Sequence, residues 1–290
     1  DSIRFTTNLW VSDDARIVVF PEGEVGAFND KLLPFHDGIF QLLLLATDKR
    51  IANGKTPVSI LPVGLRYTLM TDHHSELVKA SKELCTATGA DSSDSLIENL
   101  KSVASIVIAR LEQEYGLRNN QDLPTQDRIS HLQTAVLERI HAATGRPIPG
   151  NGDLHDLMRI GANIIEDAID SHAIPETVFD KRLAIQRRQR ALALQADIDR
   201  LQNWLAIEDG YATASGNQDH AYELIRHFET EVFGSVRTRI ARDASVQVGT
   251  RINLTDIADF ADMPKKQQIR TLRQMSVDAV SSCLAQSLPG

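Results

Sequence analysis

About the first 70 and the last 45 residues carry a different hydrophobic pattern from the stretch between them. Ile17-Val18-Val19-Phe20 is a short, wholly apolar run rich in β-branched residues, and Pro-Glu-Gly ends it. That pattern predicts a buried strand of the kind found in parallel sheets. Gly38 to about Ala52 predicts a helix, and Pro57 to Leu65 a second buried strand. Strand, helix and strand in succession make a βαβ unit, and hence an α/β sheet. Ahead of them, Asp1 to Trp10 reads as an amphipathic helix.

From about Asp72 to Arg242 the pattern turns helical. Leu96, Leu100, Val103, Val107 and Leu111 recur at spacings of three and four, with Ser95 and Glu98 placed as a capping box. Ile129, Leu132, Val136 and Ile140 form a second stripe, and Leu194, Ile198, Leu201 and Leu205 a third. A fourth runs through Tyr222, Ile225, Val232, Val236 and Ile240. Clusters of Gly, Pro and Asn at 145–152 and 210–216 punctuate the helices. No fixed repeat is present, which argues against a solenoid. The pattern then reverts: Ser245 to Gly249 alternates like a strand, and Lys265 to Leu288 predicts a closing helix. The expected architecture is an α/β domain over 1–70 and 243–290, split by an all-helical insertion at 71–242.

Composition sets bounds on this picture. Of the 290 residues, 42% are hydrophobic and 24% charged, as in a globular protein able to bury a sizeable core. A formal net charge of -8 weighs against bulk nucleic-acid binding, and no nucleic-acid partner is expected. Cys85 and Cys283 have no metal-ligand spacing and read as reduced core thiols, so a cytoplasmic protein without a bound metal is expected. The longest apolar run, Ile39 to Ala46, is interrupted by Gln41 and falls far short of the roughly 20 residues that span a bilayer. No signal peptide is evident. The chain opens on Asp1 in what reads as mid-helix, so its start reads as a cut.

The candidate chemistry lies where the first predicted strand ends, at Phe20-Pro21-Glu22-Gly23-Glu24. Ligands of open α/β sheets bind beyond such strand ends. A glycine there allows close approach to the backbone, and a glutamate can hold a hydroxyl or a cation. A plain turn with a solvated carboxylate fits the same five residues.

Two further elements follow in order: Pro34-Phe35-His36-Asp37-Gly38, and Ile60-Leu61-Pro62-Val63-Gly64. Together the three resemble the third block, the helix-opening Pro-Phe-x-x-Gly element and the fourth block of the lysophospholipid and 1-acylglycerol-3-phosphate acyltransferases. The resemblance covers about 17–67, and more loosely 246–285. Most of that family reads Phe-Pro-Glu-Gly-Thr-Arg-Ser, whereas this chain has Glu24-Val25-Gly26 and is similar to a branch with a following Asn-Asp pair, here Asn29-Asp30. The family's catalytic His-x4-Asp block is absent: none of the nine histidines has Asp five positions on. That block and an arginine-bearing second block lie upstream of Phe-Pro-Glu-Gly in the family, and only nineteen residues precede Phe20 here.

The resemblance implies a glycerolphosphate-acyltransferase-like sheet with helices. It implies transfer of a fatty acyl group from acyl-CoA or acyl carrier protein to a lysophospholipid or glycerol-phosphate hydroxyl, in phospholipid biosynthesis. The thioester is a co-substrate, and no cofactor or metal is called for. The absent His would be the general base, oriented by the absent Asp. Phe20, Pro21, Glu22, Gly23 and Glu24 would line the acceptor site, with Pro62 and Val63 beside the acyl pocket. No residue of this chain is assigned a catalytic role. His36, beside Asp37, is a weaker substitute base, because adjacent residues orient one another poorly.

The predicted insertion adds one feature. Lys181, Arg182, Arg187, Arg188 and Arg190 lie among Leu183, Ile185, Leu192 and Leu194. A basic amphipathic helix can lie on anionic lipid, placing the protein peripherally on the inner face of a membrane. A solvated charged face, or a dock for acidic acyl carrier protein, fits the same residues. Trp10 and Trp204 are expected in packing, and Asp13-Asp14 in a loop. Two other readings remain: a non-catalytic helical binding scaffold on a degenerate acyltransferase fold, and a different α/β transferase using Glu22 as base.

Overall fold

The computed structural model describes residues 2–12, 15–23, 32–118, 122–145, 154–169, 177–201, 203 and 217–286. The chain divides into two compact units, 1–68 with 242–290, and 69–241. Trp204, Leu205 and Asp13-Asp14 lie outside the described residues.

In the first unit, α1 (Ser2–Val11) and α2 (Asp37–Ala52) pack together, and α9 (Lys265–Gln286) packs on α2. Their core joins Trp10, Phe35, Phe40, Leu43, Leu44, Leu254, Phe260 and Leu272. Asp37 in the first turn of α2, with Lys49 and Arg50 in its last, complements the helix dipole. Arg50 then reaches the end of α1, donating to the carbonyls of Trp10 at 3.2 Å and Ser12 at 2.9 Å, while its Nε donates to Thr56 at 2.6 Å. One guanidinium thus satisfies carbonyls that a helix C-terminus leaves open.

The sheet departs from expectation. Pro57 to Leu65 is not one strand but two, β1 (Ser59–Ile60) and β2 (Val63–Leu69). Pro62 separates them, and proline has no N–H to give a ladder. β1 pairs antiparallel with β4 (Ile252–Asn253), Ser59 opposite Asn253. β2 pairs with β3 (Arg242–Val248). Gly249 N–H donates to Pro62 O at 2.9 Å, so the end of β3 lies beside the start of β2 and this pair is antiparallel too. The expected parallel βαβ sheet is therefore not what forms. Ile17–Phe20 is not a strand: it has no ladder partner among the described residues, and Val18 and Phe20 are 83% and 75% exposed. Ile17 alone of the run packs on the core. A strand needs a neighbour to take its backbone bonds, and an apolar run without one stays unpaired.

One face of the β2–β3 pair meets α9. A β-carbon at Gly64 would lie 2.7 Å from Cys283 Cβ, and one at Gly249 2.9 Å from Cys283 Sγ. Only glycine lets the two strands approach the helix this closely. The antiparallel register places Val63, Leu65, Val246 and Val248 together on the opposite face, all exposed.

The second unit is helical: α3 (His74–Thr88), α4 (Leu96–Glu114), α5 (Thr125–Thr144), α6 (Leu154–Ile169), α7 (Val178–Arg200) and α8 (Gln218–Phe233). Successive helices pack on one another from α3 to α7, α5 also meets α7, and α8 returns against α3 and α4. The predicted stripes on α4 and α5 are buried throughout. The capping box at α4 forms only in half: Ser95 Oγ accepts from Glu98 N–H at 3.4 Å, but the Glu98 carboxylate takes the Ser93 hydroxyl instead. The fourth stripe stops early. α8 ends at Phe233 because Gly234, at φ 74°, turns the backbone left-handed, so Val236 and Ile240 lie beyond it. Buried Glu229 then holds the segment after α8, accepting N–H bonds from Arg237 at 2.7 Å and Thr238 at 2.8 Å. No described helix is long and apolar enough to cross a membrane.

Candidate functional site

The site begins with the turn that ends the Ile17–Phe20 run. Gly23 N–H donates to Phe20 O at 3.1 Å, closing a turn over Pro21 and Glu22. Proline sets φ for the first turn position, and Gly23, at φ 72°, takes a conformation costly to other residues. This turn docks on the segment that leads into α2. His36 N–H donates to Pro21 O at 2.8 Å, and Leu33 N–H donates to Glu22 Oε2 at 2.7 Å. The His36 ring covers Gly23 so closely that a β-carbon there would lie 2.6 Å from Cδ2 and Nε2. Two of the three sequence elements, Phe-Pro-Glu-Gly and Pro-Phe-His-Asp-Gly, are thus brought together by one main-chain bond, with the Glu22 carboxylate held by the preceding Leu33 N–H.

Glu22 is half-buried. Burial pushes its carboxyl above the ordinary glutamate value of 4.5, and the Leu33 N–H partly offsets this by bonding the charged form. Since Leu33 N–H takes Oε2, Oε1 is the oxygen without an assigned protein donor among the described contacts. A carboxylate in this setting can accept a hydroxyl or hold a cation. His36 is the N-cap of α2 but caps with no side-chain bond, and Asp37 turns away to pair with Arg273 at 2.8 Å. His36 and Asp37 therefore do not form an oriented acid–base pair.

The other predicted residues fall elsewhere. Phe20 is exposed, and Glu24 lies outside the described residues. Pro62 is buried between β1 and β2, and Val63, which opens β2, is exposed. No described hydrogen bond joins Pro62 or Val63 to the Pro21–Gly23 turn. A cleft of about 440 Å³ in the same unit is lined by Thr250, Arg251, Asn253, Asp256, Met275 and Ser282 among others, and none of the seven predicted residues lines it. Sequence reasoning missed Leu33 and the covering role of His36. The only signal was that they precede α2 within a short distance of Gly23. Among the described residues no group of three or more His, Cys, Asp or Glu side chains is placed to hold a metal ion. No protein-family model, curated protein or solved structure matches the chain.

Proposed function

We propose that this chain carries the acceptor side of an acyltransferase, of the kind that moves a fatty acyl group from acyl-CoA or acyl carrier protein to a lysophospholipid or glycerol-phosphate hydroxyl. What supports the reading most is the docking of Pro21-Glu22-Gly23 on Leu33–His36. It turns two motifs that are separate in sequence into one partly desolvated carboxylate site. In this reading Glu22 accepts a hydrogen bond from an acceptor hydroxyl, and Gly23 lets the His36 ring close over the turn that carries it.

The transfer itself consists of attack by the acceptor oxygen on the thioester carbonyl, expulsion of the thiol and loss of the hydroxyl proton to a base. No His-x4-Asp block occurs in these 290 residues. His36 is not a replacement, since Asp37 pairs with Arg273. On this reading Glu22 positions the acceptor hydroxyl rather than deprotonating it. Comparing acyl transfer to lysophosphatidate by the gene's full product and by its Glu22→Gln variant tests the assignment. A drop of at least about tenfold is expected, the scale of losing one hydrogen bond to a charged group. Unchanged transfer would remove Glu22 from the site.

A further inference from the structure

Helix α7 has two apolar faces rather than one. Ala191, Leu194, Ile198 and Leu201 are buried on its inner side, against α6 and α5. On the opposite side Val178, Ile185 and Leu192 follow one another at seven-residue intervals and are 70%, 58% and 52% exposed. Seven residues is close to two full turns, so these three form a line about 21 Å long down the outside of the helix. Phe179 adds a further exposed ring at the same end. A capping box between Thr177 and Asp180 fixes where the helix, and so the line, begins.

Cations flank this line on both sides. Helical spacing sets Lys181 and Arg188 along one edge and Arg182 along the other. From Lys181 to Ala196 there is no carboxylate, in a protein whose formal net charge is -8. Lys181, Arg182, Arg188 and Arg190 are exposed and engage no hydrogen bond or ion pair among the described residues. Elsewhere in the same unit arginines are occupied: Arg110 donates to Thr88 O, Arg128 pairs with Glu112 and Arg200 with Glu114.

We infer that the outer face of α7 lies on an anionic lipid surface, with Val178, Ile185 and Leu192 entering the headgroup boundary between lysine and arginine side chains. Three features select lipid over other occupants. A second copy would bring like-charged edges together. A protein helix docking on one convex line of three side chains would bury far less than the roughly 1,000 Å² of a specific interface. A bilayer accepts a convex helix and adds attraction from each cation near it. The inference goes beyond the acyl-transfer reading and does not depend on it, since no substrate or turnover enters its test.

The test is co-sedimentation of the protein with vesicles of phosphatidylcholine alone and of phosphatidylcholine mixed with phosphatidylglycerol. Binding to the mixed vesicles is expected, weakened by salt and absent with phosphatidylcholine alone. Ile185→Ser with Leu192→Ser, and separately Arg182→Gln with Arg188→Gln, should each weaken it by roughly tenfold or more. All four positions are exposed, and circular dichroism of each variant checks that the helices persist. No binding to the mixed vesicles, or binding undiminished in both variants, would overturn the inference. So would a protein that ignores vesicles but dimerises, or takes up an acidic helical peptide, through these same residues.

Discussion

The imidazole of His36 lies over Gly23 with no room for a β-carbon between them: its Cδ2 and Nε2 would both be 2.6 Å away. Gly23 also needs φ 72°. Gly23→Ala therefore meets two costs, left-handed backbone and a ring clash, together about 2–5 kcal/mol. In a His36→Ala background the clash is gone and only the backbone cost remains, about 1–2 kcal/mol. A urea-denaturation double-mutant cycle measures the difference. Equal losses in both backgrounds would show that the ring does not sit over Gly23.

Glu22 gives the chain a pH signature. Its folded value is raised, so below the ordinary 4.5 the carboxyl is protonated in both states and carries no penalty. As pH rises through 4.5 and then through the folded value, the unfolded chain ionises more readily, and the folded state loses stability. Glu22→Gln keeps an acceptor for Leu33 N–H and removes the titration. The variant's midpoint should move upward relative to the parent as pH rises across that window. A difference that stays flat with pH would show that Glu22 is not desolvated.

Cys283 separates two glycines that look alike in sequence. A β-carbon added at Gly249 would meet its Sγ at 2.9 Å, whereas one added at Gly64 would meet its Cβ at 2.7 Å and the Leu284 backbone nitrogen at 3.1 Å. Cys283→Ala removes only the sulfur. It should rescue most of the loss in Gly249→Ala and little of that in Gly64→Ala, each alone costing about 1–3 kcal/mol. Thermal melts of the two double variants decide it, and rescue of both or neither contradicts the packing of α9 on the β2–β3 pair.

In the helical unit, Arg128 Nε and Nη2 donate to the two Glu112 oxygens at 2.8 Å each, and both residues are buried. Glu112→Ala should cost about 3–5 kcal/mol by leaving a buried cation unpaired, while replacing both with Met and Leu should be close to neutral. Urea midpoints of the two proteins test this. A Glu112→Ala loss under about 1 kcal/mol would mean the pair is solvated.

Helices α4 and α5 were legible because each carries its own stripe: they bury the residues their spacing marks, and Ser95 caps where expected. The sheet was less so. A run such as Ile17–Phe20 fixes β-propensity but not the neighbour that would make it a strand. The break at Pro62 and the stop at Gly234 were written in single residues that a longer apolar pattern overshadowed. At the candidate site the Pro-Glu-Gly turn could be read directly. Its contacts with Leu33 and His36, and the reach of Arg50 to α1, are tertiary and leave no local pattern.

The most direct measurement of the central claim is radiolabelled acyl transfer from acyl-CoA to lysophosphatidate. It should be run on the gene's full product, on Glu22→Gln and on these 290 residues alone. The account predicts labelled diacyl product from the first, at least about tenfold less from the second at unchanged fold, and none above background from the third. No product from the full protein, undiminished transfer by Glu22→Gln, or transfer by the 290 residues alone would contradict it.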